Sequence, residues 1–356
     1  MAVFLSLAGA AQAAVYWGNY GSNGSGGTIG RANTDGSAPV QTFIAGAKGP
    51  VGVAANATYV YWSNTDNSDN TGTRIGRARL DGSGVNQAFI STANGPHGIA
   101  LNSTTIYWAN RGRDGTGTSI GRANLDGSAA TTDFITGGSG PWGVAIDAHF
   151  IYWTNRGTSG GSPCGGSIGR ANLDGSGVNQ NFITGADGPT GITVDAGHVY
   201  WSNGCGSSIG RANIDGSAPD QAFIAGARQP SGLTTDGTYL YWGNFANPTA
   251  VGGGSTIGRA NLDGSGINES FIGGTSSPTG IAITSGTVAT PRCVVPKLVG
   301  KQLAAATKAI RAAHCASGTV TRKHAKGRAG RVLSAKPVAG ARRSAGAKVS
   351  LVVSRS

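Results

Sequence analysis

One pattern recurs six times along this chain and constrains its fold more than any other feature. The dipeptide Tyr-Trp returns at steps of 41 to 48 residues, and each copy is followed by Asn, a Gly-rich stretch, Ile-Gly-Arg-Ala, Asp-Gly-Ser and Phe-Ile. The six dipeptides begin at Tyr16, Tyr61, Tyr107, Tyr152, Tyr200 and Tyr241. Six of the seven Trp residues therefore belong to the repeat, and we interpret them as structural.

Each repeat reads as four short strands. In the copy at residues 140–183, the strand-like segments are 144–146, 150–153, 167–173 and 181–183. Asp174-Gly175, between the last two, is a strong hairpin signal because glycine accepts a positive φ. A period of about 40 to 45 residues with four strands per copy predicts an all-β, six-bladed β-propeller.

The order of the repeats also predicts how the ring closes. The chain enters at the second strand of its first blade, near Val15, and the sixth inner strand, near Thr279, comes last. The first and last segments of the propeller, residues 14–286, are therefore expected to share one sheet. Such closure removes the open edges of a linear array.

The repeat resembles the YWTD repeat of the low-density-lipoprotein-receptor class B type. Tyr-Trp-Thr-Asn at residues 152–155 and Ile-Gly-Arg-Ala-Asn-Leu-Asp-Gly-Ser at 168–176 carry the resemblance, which extends over residues 15–286. It departs at the fourth motif position, which is Asn in every copy rather than Asp. The resemblance implies a propeller in a family whose members mostly bind proteins or glycans, although fold alone does not give function.

The last 66 residues have a different composition. Residues 291–356 hold 15 of the 28 Lys and Arg residues and none of the 16 Asp and Glu residues, so they carry +15 against −3 for the rest of the chain. Leu303, Ala306, Ile310 and Ala313 recur at helical spacing. Segments 332–334 and 349–353 read as strands, so the sequence predicts a small C-terminal α+β domain.

This C-terminal domain resembles a PASTA domain over residues 293–354. The matching residues are Val295-Pro296, Gly300, the Ala-rich helix, Gly318, Val320, Val332, Ser334, Pro337, Gly340, Gly346, Val349, Leu351 and Val353. The resemblance implies a domain that lies outside bacterial cells, several of whose relatives associate with peptidoglycan. The predicted boundaries are 14–286 for the propeller, 287–292 for a linker and 293–356 for the PASTA-like domain.

The N-terminus and the cysteines both indicate an exported protein. Residues 1–13 end in Ala11-Gln12-Ala13, and we interpret them as the remnant of a longer signal peptide rather than as a first inner strand. Among three connectivities of the four cysteines, we choose the disulfides Cys164–Cys205 and Cys293–Cys315; the alternative is four reduced thiols. No long apolar run elsewhere predicts a membrane span.

Residues outside the repeat define a candidate ligand face. The entrances of the inner strands form a ring of Val51, His97, Trp142, Thr190, Ser231 and Thr279. Arg111, Arg113, Asp114 and Arg156 lie in the flanking loops. We expect an aromatic face beside cations, suited to a sugar or an acidic group; the alternative is that Trp142 only plugs the channel.

A propeller lyase or lactonase is the alternative function. The entrance ring has one His and no carboxylate, and no Cys or His spacing predicts zinc. Asn64, Asn110 and Asn155 remain as residues that could reach a metal. His149 and His198 are expected on the opposite face and Glu269 in an outer hairpin. The sequence thus favours a non-catalytic protein, and no cofactor or metal is predicted.

The leading hypothesis is an exported, cell-wall-associated binding protein. The C-terminal domain would attach to peptidoglycan or an anionic wall polymer, and the propeller would present a protein- or glycan-binding face. Nucleic acid is not expected as a partner, because no Phe, Tyr or Trp follows residue 290 to stack on bases. The candidate wall-binding residues are Lys297, Lys301, Arg322, Lys323, Arg342 and Arg343.

Overall fold

The computed structural model describes residues 13–21, 26–65, 72–112, 115–157, 164–245, 255–284, 293–313, 315–325, 329–343 and 347–355. Contacts between Cα atoms divide the chain into two compact units, Ala13–Ser285 and a second that contains Gly286–Ser356. The predicted signal peptide up to residue 12 and the predicted linker lie outside the described residues. No helix in the described ranges is long and apolar enough to cross a membrane.

The described strands of the first unit form six four-stranded antiparallel sheets. The first twelve strands are β1 (Ala14–Asn19), β2 (Thr28–Asn33), β3 (Val40–Ala45), β4 (Pro50–Ala55), β5 (Tyr59–Asn64), β6 (Arg74–Arg79), β7 (Asn86–Ile90), β8 (Pro96–Leu101), β9 (Thr105–Asn110), β10 (Ser119–Asn124), β11 (Thr131–Ile135) and β12 (Pro141–Ile146). The next twelve are β13 (Phe150–Asn155), β14 (Gly166–Asn172), β15 (Asn179–Ala186), β16 (Pro189–Val194), β17 (His198–Asn203), β18 (Ser208–Asn213), β19 (Asp220–Ala225), β20 (Pro230–Thr235), β21 (Tyr239–Asn244), β22 (Thr256–Asn261), β23 (Asn268–Ile272) and β24 (Pro278–Thr284).

The sheets are the blades of a closed ring. Blade 1 has the order β24-β1-β2-β3, and blades 2 to 6 each take four consecutive strands from β4 onward. β24 pairs antiparallel with β1, and the Ala14 N–H donates to Thr284 Oγ1 at 3.1 Å. Each inner strand contacts the inner strand of the next blade, and β20, β24 and β4 complete the circle. The predicted six-bladed propeller and its mode of closure are confirmed.

The Tyr-Trp and Ile-Gly-Arg-Ala motifs form one packing unit. Trp153 on β13 pairs in register with Gly169 on β14, and a Cβ on Gly169 would lie within the indole ring. The glycine and tryptophan of every blade have this arrangement, and all six indoles are 0% exposed. Each tryptophan therefore needs a glycine opposite it, which explains why the two motifs recur together.

The Asn of each Tyr-Trp-x-Asn motif ties three strands together. Asn155 Oδ1 accepts the Ser139 N–H at 3.1 Å, while its Nδ2 donates to the Gln180 carbonyl of the outer strand at 2.9 Å. The same two bonds occur in all six blades, and these Asn side chains are 0–4% exposed. Aspartate could accept but could not donate, so a buried carboxylate would face a carbonyl oxygen. In this chain the fourth position of the motif thus uses both ends of an amide.

The charged residues of the repeat, Arg and Asp, make contacts within the blades. The Arg170 guanidinium carbon lies 3.9 Å from the ring centroid of Phe182, and Arg residues of other blades stack in the same way. In the Asp-Gly-Ser turn, Asp174 Oδ1 accepts the Ser176 N–H at 2.9 Å and its hydroxyl at 2.6 Å. These bonds hold the pKa of Asp174 below its usual value. The six turn carboxylates are therefore not catalytic acids.

The second unit contains the predicted helix and both predicted strands. Its elements are β25 (Cys293–Val294), α1 (Leu303–Ala312), β26 (Ala316–His324), β27 (Val332–Lys336), β28 (Arg342–Arg343) and β29 (Lys348–Arg355). β29 lies between β26, to which it is parallel, and β27, to which it is antiparallel. Ala306 and Ile310 are buried in one apolar cluster with Val332 and Leu351. The helical spacing therefore identified the buried face of α1 correctly.

The disulfide pairing predicted in the propeller is confirmed. Cys164 and Cys205 are bonded with a Cα–Cα distance of 5.5 Å, which links the loops of blades 4 and 5. Cys315 is also disulfide-bonded. The side chain of Cys293, its predicted partner, lies outside the described part of the chain.

Blade 6 departs from the repeat at Glu269. This residue lies in β23, the outer strand of the hairpin formed by β22 and β23, as predicted, at the position that Gln occupies in blades 1, 2, 4 and 5. Each Gln donates from Nε2 to a carbonyl of the preceding blade at 2.9–3.3 Å. Glu269 Oε2 accepts from Asn244 Nδ2 at 3.0 Å, but its Oε1 is buried without a hydrogen-bond partner among the described residues.

We predict that Glu269→Gln stabilises the protein. The new Nε2 would donate to the Ala225 carbonyl, the equivalent of the carbonyls that the other Gln residues bind, and a net gain of about 1 kcal/mol is expected. The reverse substitution, Gln221→Glu, removes that donor in blade 5 and should cost at least as much. Urea unfolding of both variants at neutral pH measures the change. A destabilised Glu269→Gln variant would contradict this account of the blade interface.

Candidate functional site

The inner strands surround a cavity of about 840 Å³. Apolar side chains such as Val53, Ile99 and Val144 line it. The inner strands approach each other closely here: a Cβ on Gly98 would collide with the backbone of Gly143 on the next inner strand, so only glycine fits at this position. The axis of the propeller is therefore a pocket lined by both apolar and polar residues.

The predicted entrance ring lines this cavity in full. Its members are Val51, His97, Trp142, Thr190, Ser231 and Thr279. Arg111 and Arg156 also line the cavity, whereas Arg113 and Asp114 lie outside the described residues.

Three of the ring residues serve mainly to join the blades. Thr190 Oγ1 donates to the Pro230 carbonyl at 3.0 Å, Ser231 Oγ to the Pro278 carbonyl at 2.7 Å, and Thr279 Oγ1 to the Pro50 carbonyl at 2.6 Å. Each of these bonds connects one inner strand to the next around the ring. Their hydroxyl hydrogens are therefore committed to the fold.

Four of the predicted ligand residues lie together in blades 3 and 4. The Trp142 ring centroid is 4.6 Å from that of His97, with the two rings at 74°. The guanidinium carbons of Arg111 and Arg156 lie 4.6 and 4.4 Å from the Trp142 centroid. Cations therefore already occupy the surroundings of this half-buried indole. The expected cations are thus beside the aromatic ring, and they stack on the ring itself.

His97 is neutral in this cluster. The side chain is 7% exposed, and Nδ1 lies 3.0 Å from the Gly95 carbonyl oxygen, so Nδ1 carries the hydrogen and donates it. Burial, followed by the charge of Arg111, lowers the pKa of His97 to about 3. The imidazole therefore adds no positive charge to the cluster at neutral pH.

Arg156 is a partly desolvated cation. Burial lowers its pKa, and the neighbouring charge of Arg111 lowers it further. Within the described ranges no carboxylate lies within salt-bridge distance of Arg156, and its guanidinium stacks on Trp142. Removing a cation from water is costly unless an opposite charge compensates. The mouth of the cavity is thus suited to an anion.

A second ring of residues was recognised only in part from the sequence, which pointed to Arg111 and Arg156 but not to Tyr20 or Phe245. The residue after each repeated Asn lines the cavity in all six blades: Tyr20, Thr65, Arg111, Arg156, Gly204 and Phe245. The Tyr20 and Phe245 rings lie 6.0 Å apart at 52°. The sequence does carry a signal for this ring: the residue that follows the repeated Asn changes type from blade to blade, whereas the Asn itself does not.

The proposed role of the Asn residues at a metal site is wrong. Asn64, Asn110 and Asn155 do not line the cavity, and their side chains are hydrogen-bonded within the blades. Among the described residues, the one group of three His, Cys, Asp or Glu side chains close enough to share an ion is Cys164, Asp187 and Cys205. There the disulfide engages both sulfur atoms.

Comparison with known proteins supports the fold. No family model and no curated protein matches the sequence. A nidogen/laminin complex structure is 21% identical with a TM-score of 0.60, covering 76% of this chain and 98% of that chain. The PQQ-bound aldose sugar dehydrogenase from Streptomyces coelicolor is 18% identical with a TM-score of 0.50 (65% and 86% covered). A streptogramin B lyase structure is 19% identical with a TM-score of 0.49 (72% and 80% covered).

The first two similarities support a β-propeller fold and, at such identities, extend no further than the fold. The fold implied by the YWTD resemblance is thus shown. The resemblance of the C-terminal unit to PASTA domains stays a prediction.

The neutral state of His97 predicts a specific loss of stability in acid. In the unfolded chain its pKa returns to about 6.5, so the unfolded state binds more protons than the folded state between pH 6.5 and 3. Stability contributed by His97 is therefore complete above pH 6.5 and decreases as the pH falls, by about 3 kcal/mol at pH 4.

Urea unfolding at pH 7 and pH 4 tests this prediction. Wild type should lose more stability between the two pH values than His97→Gln, while the exposed-site control His149→Gln should behave as wild type. An equal loss in all three proteins would show that His97 is not a buried neutral residue.

Proposed function

We propose that this protein is an exported binding protein whose propeller holds an anionic group of its ligand at the mouth of the central cavity. The observation that carries the proposal is the stacking of Arg111 and Arg156 on Trp142 beside the neutral His97. We further propose that the basic C-terminal unit attaches the protein to peptidoglycan or an anionic wall polymer.

The cluster favours a carboxylate or similar anion over a neutral sugar. A guanidinium binds a carboxylate through short, charge-assisted hydrogen bonds, and these are stronger in a partly desolvated site. Thr190, Ser231 and Thr279 have committed their hydroxyl hydrogens to backbone carbonyls. Charge is therefore the main recognition element that the mouth offers.

Binding is favoured over the lyase or lactonase alternative by the state of His97. A general base works best when its pKa lies near the operating pH. The pKa of His97 is lowered to about 3, so its imidazole is a weak base at neutral pH. The two guanidiniums beside it stabilise a bound anion without any proton transfer.

Anion binding at this cluster can be measured without knowing the ligand. Trp142 is half-buried, whereas the other six indoles are 0% exposed, so collisional quenching of fluorescence reports mainly on Trp142. We expect iodide, an anion, to quench wild type several-fold better than Arg156→Thr at constant ionic strength. Threonine is a suitable replacement because Thr65 occupies the same position in blade 2.

Acrylamide, which is neutral, provides the control for this measurement. It should quench Arg156→Thr at least as well as wild type, since removal of the side chain uncovers the indole. Arg156→Lys should keep most of the response to iodide. Equal iodide quenching of wild type and Arg156→Thr would refute an anion site at Trp142.

The argument for wall attachment rests on charge and on the PASTA resemblance. Residues 291–356 carry 15 cations and no carboxylate, and Lys297, Lys301, Arg322 and Lys323 are exposed. Arg342 and Arg343 lie in β28, and their side chains are outside those described. The confirmed disulfide is compatible with an extracellular protein. A polymer of negative charge would be attracted to such a surface over roughly 8–10 Å at physiological salt.

Retention of the full chain on peptidoglycan sacculi, with and without teichoic acid, tests this attachment at low and high salt. We expect the double variant Arg322→Glu with Lys323→Glu to be retained several-fold less than wild type. Arg74→Glu with Arg79→Glu makes the same change of charge on exposed positions of the propeller and should have little effect. If the two double variants lost retention equally, only the net charge of the chain would matter, and specific attachment through the C-terminal unit would be refuted.

A further inference from the structure

The mouth of the cavity has two chemically different sides. His97, Arg111, Trp142 and Arg156 belong to blades 3 and 4, whereas Tyr20 and Phe245 belong to blades 1 and 6. In a ring of six blades, blades 3 and 4 lie opposite blades 6 and 1. A cationic side therefore faces an aromatic side across the cavity.

The residues between these two sides are small or aliphatic. Blade 2 contributes Val51 and Thr65, and blade 5 contributes Thr190 and Gly204. They add neither charge nor an aromatic ring to the mouth. The residues of blades 2 and 5 therefore separate the cationic side from the aromatic side without sharing the character of either.

The aromatic side is not required by the repeat. Thr65 and Gly204 occupy the position of Tyr20 and Phe245 in other blades, and those blades have the same four strands. Tyr20 and Phe245 are half-buried, and both line the cavity. Their rings, 6.0 Å apart and tilted by 52°, offer an apolar wall on which a further ring can pack.

The cavity has the size and walls of a small-molecule site. Ligand pockets typically have about 300–1,000 Å³ and combine apolar walls with a few polar groups that fix the orientation. The cavity here has about 840 Å³, and Val53, Leu233 and Ile281 are among its apolar lining residues. Its charged side chains, Arg111 and Arg156, lie on one side, and apolar and uncharged polar residues line the rest.

We infer that the propeller binds a small amphipathic carboxylate, with its negative group at Arg156 and an aromatic or other apolar ring against Tyr20 and Phe245. This inference rests on the proposed anion site and adds the nature of the rest of the ligand. The two groups of the ligand must be separated by a linker that spans the mouth.

Calorimetric titration of the full-length protein with matched probes tests the inference. The probes are phenylhexanoate, hexanoate, which lacks the ring, and phenylhexanamide, which lacks the charge. Phenylhexanoate should bind at least about tenfold more tightly than either partial probe, because only it engages both sides. A shorter homologue, phenylacetate, should lose most of this advantage.

Substitution by threonine, which the repeat has at the equivalent position in blade 2, tests which side of the mouth binds the phenyl ring and which binds the carboxylate. Tyr20→Thr combined with Phe245→Thr should reduce the affinity for phenylhexanoate to that for hexanoate and leave hexanoate binding unchanged. Arg156→Thr should weaken both acids and leave the amide unaffected. His149→Ala, an exposed position remote from the cavity, should change none of the three affinities.

The outcomes separate the two proposals. Equal affinities for acid and amide, with no effect of Arg156→Thr, would refute the anion site and with it this inference. Hexanoate binding that depends on Arg156 but gains nothing from the phenyl group would overturn the amphipathic ligand alone. If the double substitution lowers the unfolding temperature, Phe245→Leu replaces it; an unchanged preference for phenylhexanoate over hexanoate would then count against the aromatic side.

Discussion

The contact on which this propeller depends is that between a tryptophan ring and a glycine of the neighbouring strand. All six indoles of the repeat are fully buried, and each fills the place that a side chain on the opposite glycine would take. A buried aromatic ring contributes a large apolar area, so six copies supply much of the core. Because the unit is repeated with so little variation, the positions that do vary are free to carry function.

Much of the fold could be predicted because its information is periodic. The period gave the number of blades, and the count of inner strands gave the pairing of β24 with β1. The strand β26 was less evident, because it is polar, largely exposed and lacks an alternating pattern. The role of Asn155 was also misjudged, because a sequence shows an amide but not that both of its ends are already bonded.

The site could be predicted only in part, for a related reason. The entrance ring follows from the repeat, so His97 and Trp142 could be placed side by side. The direction of the Arg111 and Arg156 side chains does not follow from any period, and their position over Trp142 is the basis for proposing an anionic group rather than a neutral sugar. Tyr20 could not be recognised from the repeat, because the residue after the repeated Asn varies from blade to blade and belongs to no recurring motif.

The charge of the cluster follows from its burial. Desolvation and the two guanidiniums together keep His97 neutral, so protonation of the imidazole cannot add a third positive charge near neutral pH. The proposed anion site would therefore carry the same charge across the physiological range. At the same time Thr190, Ser231 and Thr279 use their hydroxyl groups to hold adjacent inner strands together. The hydroxyl groups that hold the ring closed have no hydrogen left to donate to a ligand. The proposed ligand contacts at the mouth therefore come from residues that do not close the ring, such as Arg111 and Arg156.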